Sequence, residues 1–223
     1  MSFYVVIGTL FGARLGEAIF YQTPMQFVQD PMGIFRFWEP GLSSHGGVIG
    51  ILLGLWIFCY RIRKKYPMIT WIALLDLLSI PALLAGAFIR IGNFFNQEIL
   101  GVPTKMPWGV IFGHPLDGSS VVARHPVQLY EALFYFVFFI VLWTLRSRLP
   151  RMFRLGKTSG LFFMGTFGFR FIIEFLKMPQ SLLLSSSGSW HMGQILSIPM
   201  IAIGVILFFG YQNSFRARVV EGN

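Results

Sequence analysis

Charge is scarce in this chain: aspartate, glutamate, lysine and arginine together make up 12% of its 223 residues, and only nine of them are acidic. So little charge, set against 55% apolar residues and 25 phenylalanines, excludes a soluble domain and points to a polytopic membrane protein. Cysteine is nearly absent. Cys59 stands alone, so no internal disulfide can form, and it reads as a small apolar residue near the end of a span. There is no Walker-type glycine loop, no paired-cysteine metal signature and no serine in a nucleophile elbow. Neither a metal nor another cofactor is expected, and any nucleophile must come from a substrate. No basic n-region with a small-residue cleavage site precedes the first apolar run, so the chain reads as mature from Met1 onward.

What charge there is has a sign and a place. Lysine and arginine number 18, giving a formal net charge of +9. They cluster as Arg61, Arg63, Lys64 and Lys65, then Arg146, Arg148, Arg151, Arg154 and Lys157, then Arg216 and Arg218. These are short loops and a tail beside apolar runs, which is the positive-inside pattern rather than a nucleic-acid surface. Membrane lipids, attracted through their anionic headgroups, are the expected partners; nucleic acid is not. With those clusters inside, both termini are cytoplasmic, and Arg36, Lys105, Arg124 and Lys177 fall in outer loops.

Length allows six or seven crossings at about 20 residues each. Six can be drawn, at about 4–22, 44–60, 71–92, 127–145, 158–176 and 192–211. They predict an all-α, polytopic transmembrane helical bundle forming a single integral-membrane domain over 1–223. The largest connection, 93–126, mixes proline, glycine and polar residues and predicts a small outer cap. Gly8, Gly12 and Gly16 recur every four residues, as do Gly46, Gly50 and Gly54. Each set makes a smooth stripe for close helix approach; alternatively, Gly46 and Gly47 leave room for a lipid chain or headgroup.

The polar residues collect on the outer side. Arg90 to Gly101, reading RIGNFFNQEILG, follows directly on an apolar run long enough to cross a bilayer. A charge at that depth costs roughly 2.5–3.5 kcal/mol on insertion scales, so it marks a function. A continuing helix would turn Arg90, Asn93 and Gln97 to one side, with Glu98 near that face. Arg170 with Glu174, and Arg14 with Glu17, repeat a spacing of four or three in other spans. Two readings stay open. These are internal ion pairs that neutralise buried charge, or Arg90 and Arg170 are two guanidinium forks converging on a phosphate. His45, in GLSSHGGVIG, is either a cap or a base that works near neutral pH. ARHPVQLYE, at 123–131, either shapes the entry to the next span or adds Arg124, His125, Gln128 and Glu131 to the site.

Taken in order, several motifs resemble the bacterial prolipoprotein diacylglyceryl transferase family. They are Ser44-His45-Gly46-Gly47; Arg90-Ile91-Gly92-Asn93-Phe94 with Asn96, Glu98 and Gly101; Arg124-His125-Pro126 with Gln128-Leu129-Tyr130-Glu131; Phe169-Arg170 with Glu174-Phe175; and Met192-Gly193-Gln194-Ile195-Leu196-Ser197. The resemblance runs over roughly residues 8 to 205. It implies an inner-membrane enzyme that moves the diacylglyceryl group of phosphatidylglycerol onto the lipobox cysteine of a prolipoprotein signal segment, releasing glycerol phosphate. It also implies catalytic roles for His45, Arg90, Glu98, Arg170 and Glu174, and substrate contacts at Arg90, Asn93, Gly101 and Arg170; substrate contacts at Gly46 and Gly47 are expected on the lipid-space reading of the glycine spacing instead. Two departures matter. Members usually begin with an additional span bearing a tyrosine, and this chain starts after it; Thr166 stands where a tyrosine often precedes the second arginine by four residues. The alternatives are therefore an inactive, N-terminally shortened fragment, or a transporter or channel for an anionic solute. Transporters tend to repeat interrupted helices in two halves, and no internal repeat is visible.

Overall fold

A computed structural model describes residues 1–20, 31–36, 44–150, 153–178 and 192–220. Among the described residues six α-helices carry the fold, in keeping with the expected all-α class. α1 (Ser2–Phe20) and α2 (Ser44–Ile62) lie in one compact unit, Met1–Leu74. α3 (Trp71–Phe95) carries the chain into a second unit, Leu75–Asn223, which also holds α4 (Val127–Arg148), α5 (Lys157–Ile173) and α6 (Met192–Val220). A two-residue hairpin, β1 (Val110–Ile111) antiparallel to β2 (Ala123–Arg124), is the only sheet among the described residues.

α3, α4, α6, and α5 together with the 3-10 turn that extends it to Leu176, are long and apolar enough to cross a membrane. Hydrocarbon offers no water to the backbone, so a run that crosses it must satisfy its own N–H and C=O groups as a helix. The outward residues are correspondingly bare: Phe88, Ile89, Leu133 and Ile206 are 61–67% exposed. The other two drawn spans are 19-residue helices whose described apolar stretches, Ser2–Gly16 and Gly46–Ile62, are shorter.

In the first unit the glycine stripes face each other. A Cβ added at Gly12 would strike the Gly46 carbonyl oxygen, one at Gly50 that of Gly8, and one at Gly54 that of Tyr4. Contacts that climb one helix while descending the other make the pair antiparallel, at a separation only glycine permits. Gly47 has ordinary clearance, 3.7 Å from Thr9 and Ala13. Buried Arg14 donates to the Arg36 carbonyl; the side chain of Glu17, its expected partner, lies outside the described residues.

The second unit packs around Ile80, Leu83 and Ala87 of α3 with Tyr135 and Leu142 of α4. A parallel stack of Phe134 on Phe169, 4.0 Å between centroids, registers α4 against α5. α5 and α6 close up through Gly160, where a Cβ would sit 2.8 Å from the Gly204 oxygen. α5 starts at Gly156, which is left-handed (φ 85°) and has no side chain to cap with. Asp76 of α3 supplies the missing acceptor. Its carboxylate takes the N–H groups of Gly156 and Ser159 and the Ser159 hydroxyl, all at 2.7 Å.

Candidate active site

α3 ends at Phe95, and the single face expected for Arg90, Asn93 and Gln97 ends with it. Gln97 is left-handed (φ 53°) and turns its Oε1 to accept the His114 N–H at 2.6 Å. Ile99 is left-handed as well (φ 57°), a costly conformation for a β-branched residue. Between these two residues the chain doubles back. The Glu98 N–H reaches the Asn93 carbonyl at 3.1 Å, and its carboxylate accepts from Asn93 Nδ2 at 2.6 Å and Asn96 Nδ2 at 3.3 Å. Asn93 Oδ1 in turn accepts from Arg90 Nη1 at 3.1 Å. Glu98 therefore steers Arg90 through an amide and does not touch it.

The direct partner of Arg90 is Glu131, fully buried, with 3.3 Å between Nε and Oε2. Glu131 sits in the second turn of α4, near a helix N-terminus that favours negative charge. Its other oxygen meets Lys177 Nζ at 3.0 Å, and Lys177 lies 3.6 Å from Glu174. Backbone pairing puts Lys177 there. Gly101 and Lys177 form an antiparallel bridge, flanked by Val102 N–H to Leu176 O and Met178 N–H to Leu100 O, both 2.9 Å. Gly101 fits because a Cβ there would strike the His125 carbonyl oxygen. Burial pulls the Lys177 pKa below the ordinary lysine value, opposed by the Glu131 carboxylate.

Arg170 behaves differently. α5 gives way at Glu174–Leu176 to a 3-10 turn, and Glu174 pairs with Lys177 rather than with the arginine four residues earlier. Gly193, at the start of α6, leaves space for the Glu174 carboxylate, which a Cβ would strike. Half-buried Arg170 makes no hydrogen bond or ion pair among the described residues. Yet Arg170 and Arg90 both act electrostatically on the Tyr135 hydroxyl in α4. Two guanidinium groups from separate helices thus lie within electrostatic range of one tyrosine; Arg90 is anchored by a carboxylate, and Arg170 makes no ion pair among the described residues.

The 123–131 segment divides its work. Arg124 donates to the carbonyls of Gly101 (3.3 Å) and Ser120 (3.0 Å), and His125 Nδ1 lies 3.3 Å from Tyr130 Oη, which accepts from Trp108 Nε1 at 2.8 Å. Those residues hold the 93–126 cap. Gln128 and Glu131 turn inward. Gln128 is fully buried; its Nε2 donates to the Glu98 carbonyl at 2.7 Å, and its Oε1 has no hydrogen-bond partner among the described residues. From the sequence alone Glu131 is open between shaping the helix entry and joining the site, Lys177 reads as an outer-loop cation, and nothing marks Tyr135. A carboxylate opening an apolar helix was the available signal for Glu131. His45, Gly46 and Gly47 belong to the first unit, at the start of α2, and the His45 side chain lies outside the described residues.

A family model described as prolipoprotein diacylglyceryl transferase matches residues 1–210. Three similar proteins, each named phosphatidylglycerol–prolipoprotein diacylglyceryl transferase, come from Protochlamydia amoebophila, Tolumonas auensis and Cupriavidus metallidurans. The first is 43% identical over 96% of this chain, which spans 56% of that relative's length. The other two are 41% identical over 92% and 93% of the chain, which spans 75% and 73% of their lengths.

Proposed function

This chain belongs to the prolipoprotein diacylglyceryl transferase family, and we propose that it transfers the diacylglyceryl group of phosphatidylglycerol to the lipobox cysteine thiol of a prolipoprotein. The observation that carries this reading is Arg170, a guanidinium in an apolar helix that makes no ion pair among the described residues and lies within electrostatic range of the same tyrosine as Arg90. A cation so placed is stabilised by an incoming anion, and the guanidinium fork matches phosphate oxygens.

The incoming thiolate attacks the glycerol carbon that bears the phosphate ester. A carbon–sulfur bond forms as the carbon–oxygen bond breaks, and glycerol phosphate departs with the electron pair. A free thiol, pKa about 8.5, is mostly protonated at neutral pH and needs a base. His45 takes that proton. Arg90 and Arg170 hold the phosphate and stabilise its growing charge, Asn93 orients the headgroup, and Glu98 and Glu174 set the cations. Gly101 keeps the cap close over the site. The protein lies in the bacterial cytoplasmic membrane as a multi-pass bundle with both termini inside and the site toward the outer face. Both substrates are membrane-resident and enter sideways from the bilayer.

The test is incubation of the purified protein in phosphatidylglycerol vesicles with a lipobox peptide, followed by mass analysis. A diacylglyceryl adduct on the cysteine, with glycerol phosphate released, is expected. An inserted protein that gives no adduct but passes an anionic solute across proteoliposomes would overturn the assignment.

A further inference from the structure

At the other end of the second unit, α3 and α4 leave an open groove of about 630 Å³ between them. Leu77, Pro81 and Leu84 form one wall, Phe139 and Trp143 the other, and Arg146 sits at the rim with Ser147. Leu77 and Arg90 are thirteen residues apart on one helix, about 20 Å at 1.5 Å per residue, so this is a separate place from the cluster above.

The rim residue is built to hold an anion. Arg146 donates Nη1 to the Asp76 carbonyl at 3.2 Å and to Thr158 Oγ1 at 2.9 Å, which fixes the guanidinium. Nη2 and Nε make no hydrogen bond among the described residues, leaving three of five N–H donors open. Beside it, Trp143 is 59% exposed, as expected of an amphipathic ring at headgroup depth. The walls are apolar and lie along a helix suited to hydrocarbon. They rise about 10 Å from Leu77 to Leu84, a length for part of an acyl chain and too short for a spanning helix.

We propose that this groove binds one anionic phospholipid, its phosphate on Arg146 and an acyl chain between Pro81 and Phe139. Charge complementarity selects this occupant. A zwitterionic lipid would bring its own cation to the guanidinium, and a free phosphate would leave the apolar walls uncovered. The same end of the unit carries Arg148, Arg154 and Lys157, and such basic ends attract anionic headgroups.

Fluorescence quenching by lipids brominated on their acyl chains tests it. The protein would be reconstituted with brominated phosphatidylserine or brominated phosphatidylethanolamine, and Trp143→Phe would identify the Trp143 signal among the six tryptophans. In the wild type, Trp143 quenching should saturate at several-fold lower mole fraction of phosphatidylserine. Ser147→Asp, an exposed change that sets a carboxylate beside the guanidinium, should abolish that preference, and Leu84→Trp should fill the wall and prevent saturation by either lipid. Equal quenching by the two lipids in the wild type would overturn the proposal, as would a preference that survives both substitutions. Loss of the preference to millimolar inorganic phosphate would also overturn it, marking an anion site without a lipid.

Discussion

Asp76 and Glu131 are both buried carboxylates that tie distant stretches of the second unit together, yet they meet different donors. Asp76 accepts two backbone N–H groups and a hydroxyl, all neutral, and so caps a helix that begins on a glycine. Glu131 accepts two cations, Arg90 and Lys177, with a third, Arg170, left without an ion pair among the described residues. Neutral donors saturate a carboxylate and leave nothing over for chemistry. Cations held through a shared carboxylate keep their attraction for a further anion. One buried acid is a structural tie, the other a fixed mount for positive charge.

The comparison can be broken first at Glu131. Glu131→Ala strands Arg90 and Lys177 without their shared partner and should cost about 3–5 kcal/mol of stability, read by denaturant titration in mixed micelles. A loss below 1 kcal/mol would mean the cations are not mounted on it. Asp76→Ala leaves buried neutral donors unpaired and should cost about 1–3 kcal/mol, with the transfer rate per folded molecule unchanged. A rate that falls in the folded fraction would erase the distinction between the two ends.

These predictions concern residues that the sequence announced unequally. Four of the hydrophobic runs are helices long and apolar enough to cross a membrane, where hydrocarbon leaves a backbone no other choice. The glycine stripes were legible too, since a four-residue period is a local property and Gly12 meets Gly46 through it. The pairing of Lys177 with Glu131 was not. They are 46 residues apart, and they meet only because a 3-10 turn and the bridge to Gly101 re-aim the end of α5. Nor could periodicity show that Gln97 leaves the Arg90 face, because left-handed residues on either side of Glu98 are a tertiary outcome. Asp76 looked like a lone acid in an apolar run, and its donors lie 80 and 83 residues away. Arg90 and Arg170 were legible as the residues to watch, whereas Tyr135, the group they share, was not.

Smaller effects sharpen the same contrast. Gly101→Ala would push a methyl group into the His125 carbonyl and loosen the bridge that places Lys177, at a cost of about 1–3 kcal/mol. Retained stability would show that the cap can shift without disturbing the cation mount. Ile99→Gly should relieve a left-handed β-branched residue and raise stability by up to about 1 kcal/mol in the same titration. A destabilised variant would argue that no strain is stored beside Glu98.

The most direct measurement is lipid transfer by Arg170→Ala in phosphatidylglycerol vesicles, with insertion and stability followed in parallel. Removing a donor to developing charge should lower the rate by about 10²–10³, while the protein, having lost no ion pair among the described residues, stays inserted and as stable as the wild type. A wild-type rate in that variant would contradict the claim that the Arg170 guanidinium holds the departing phosphate.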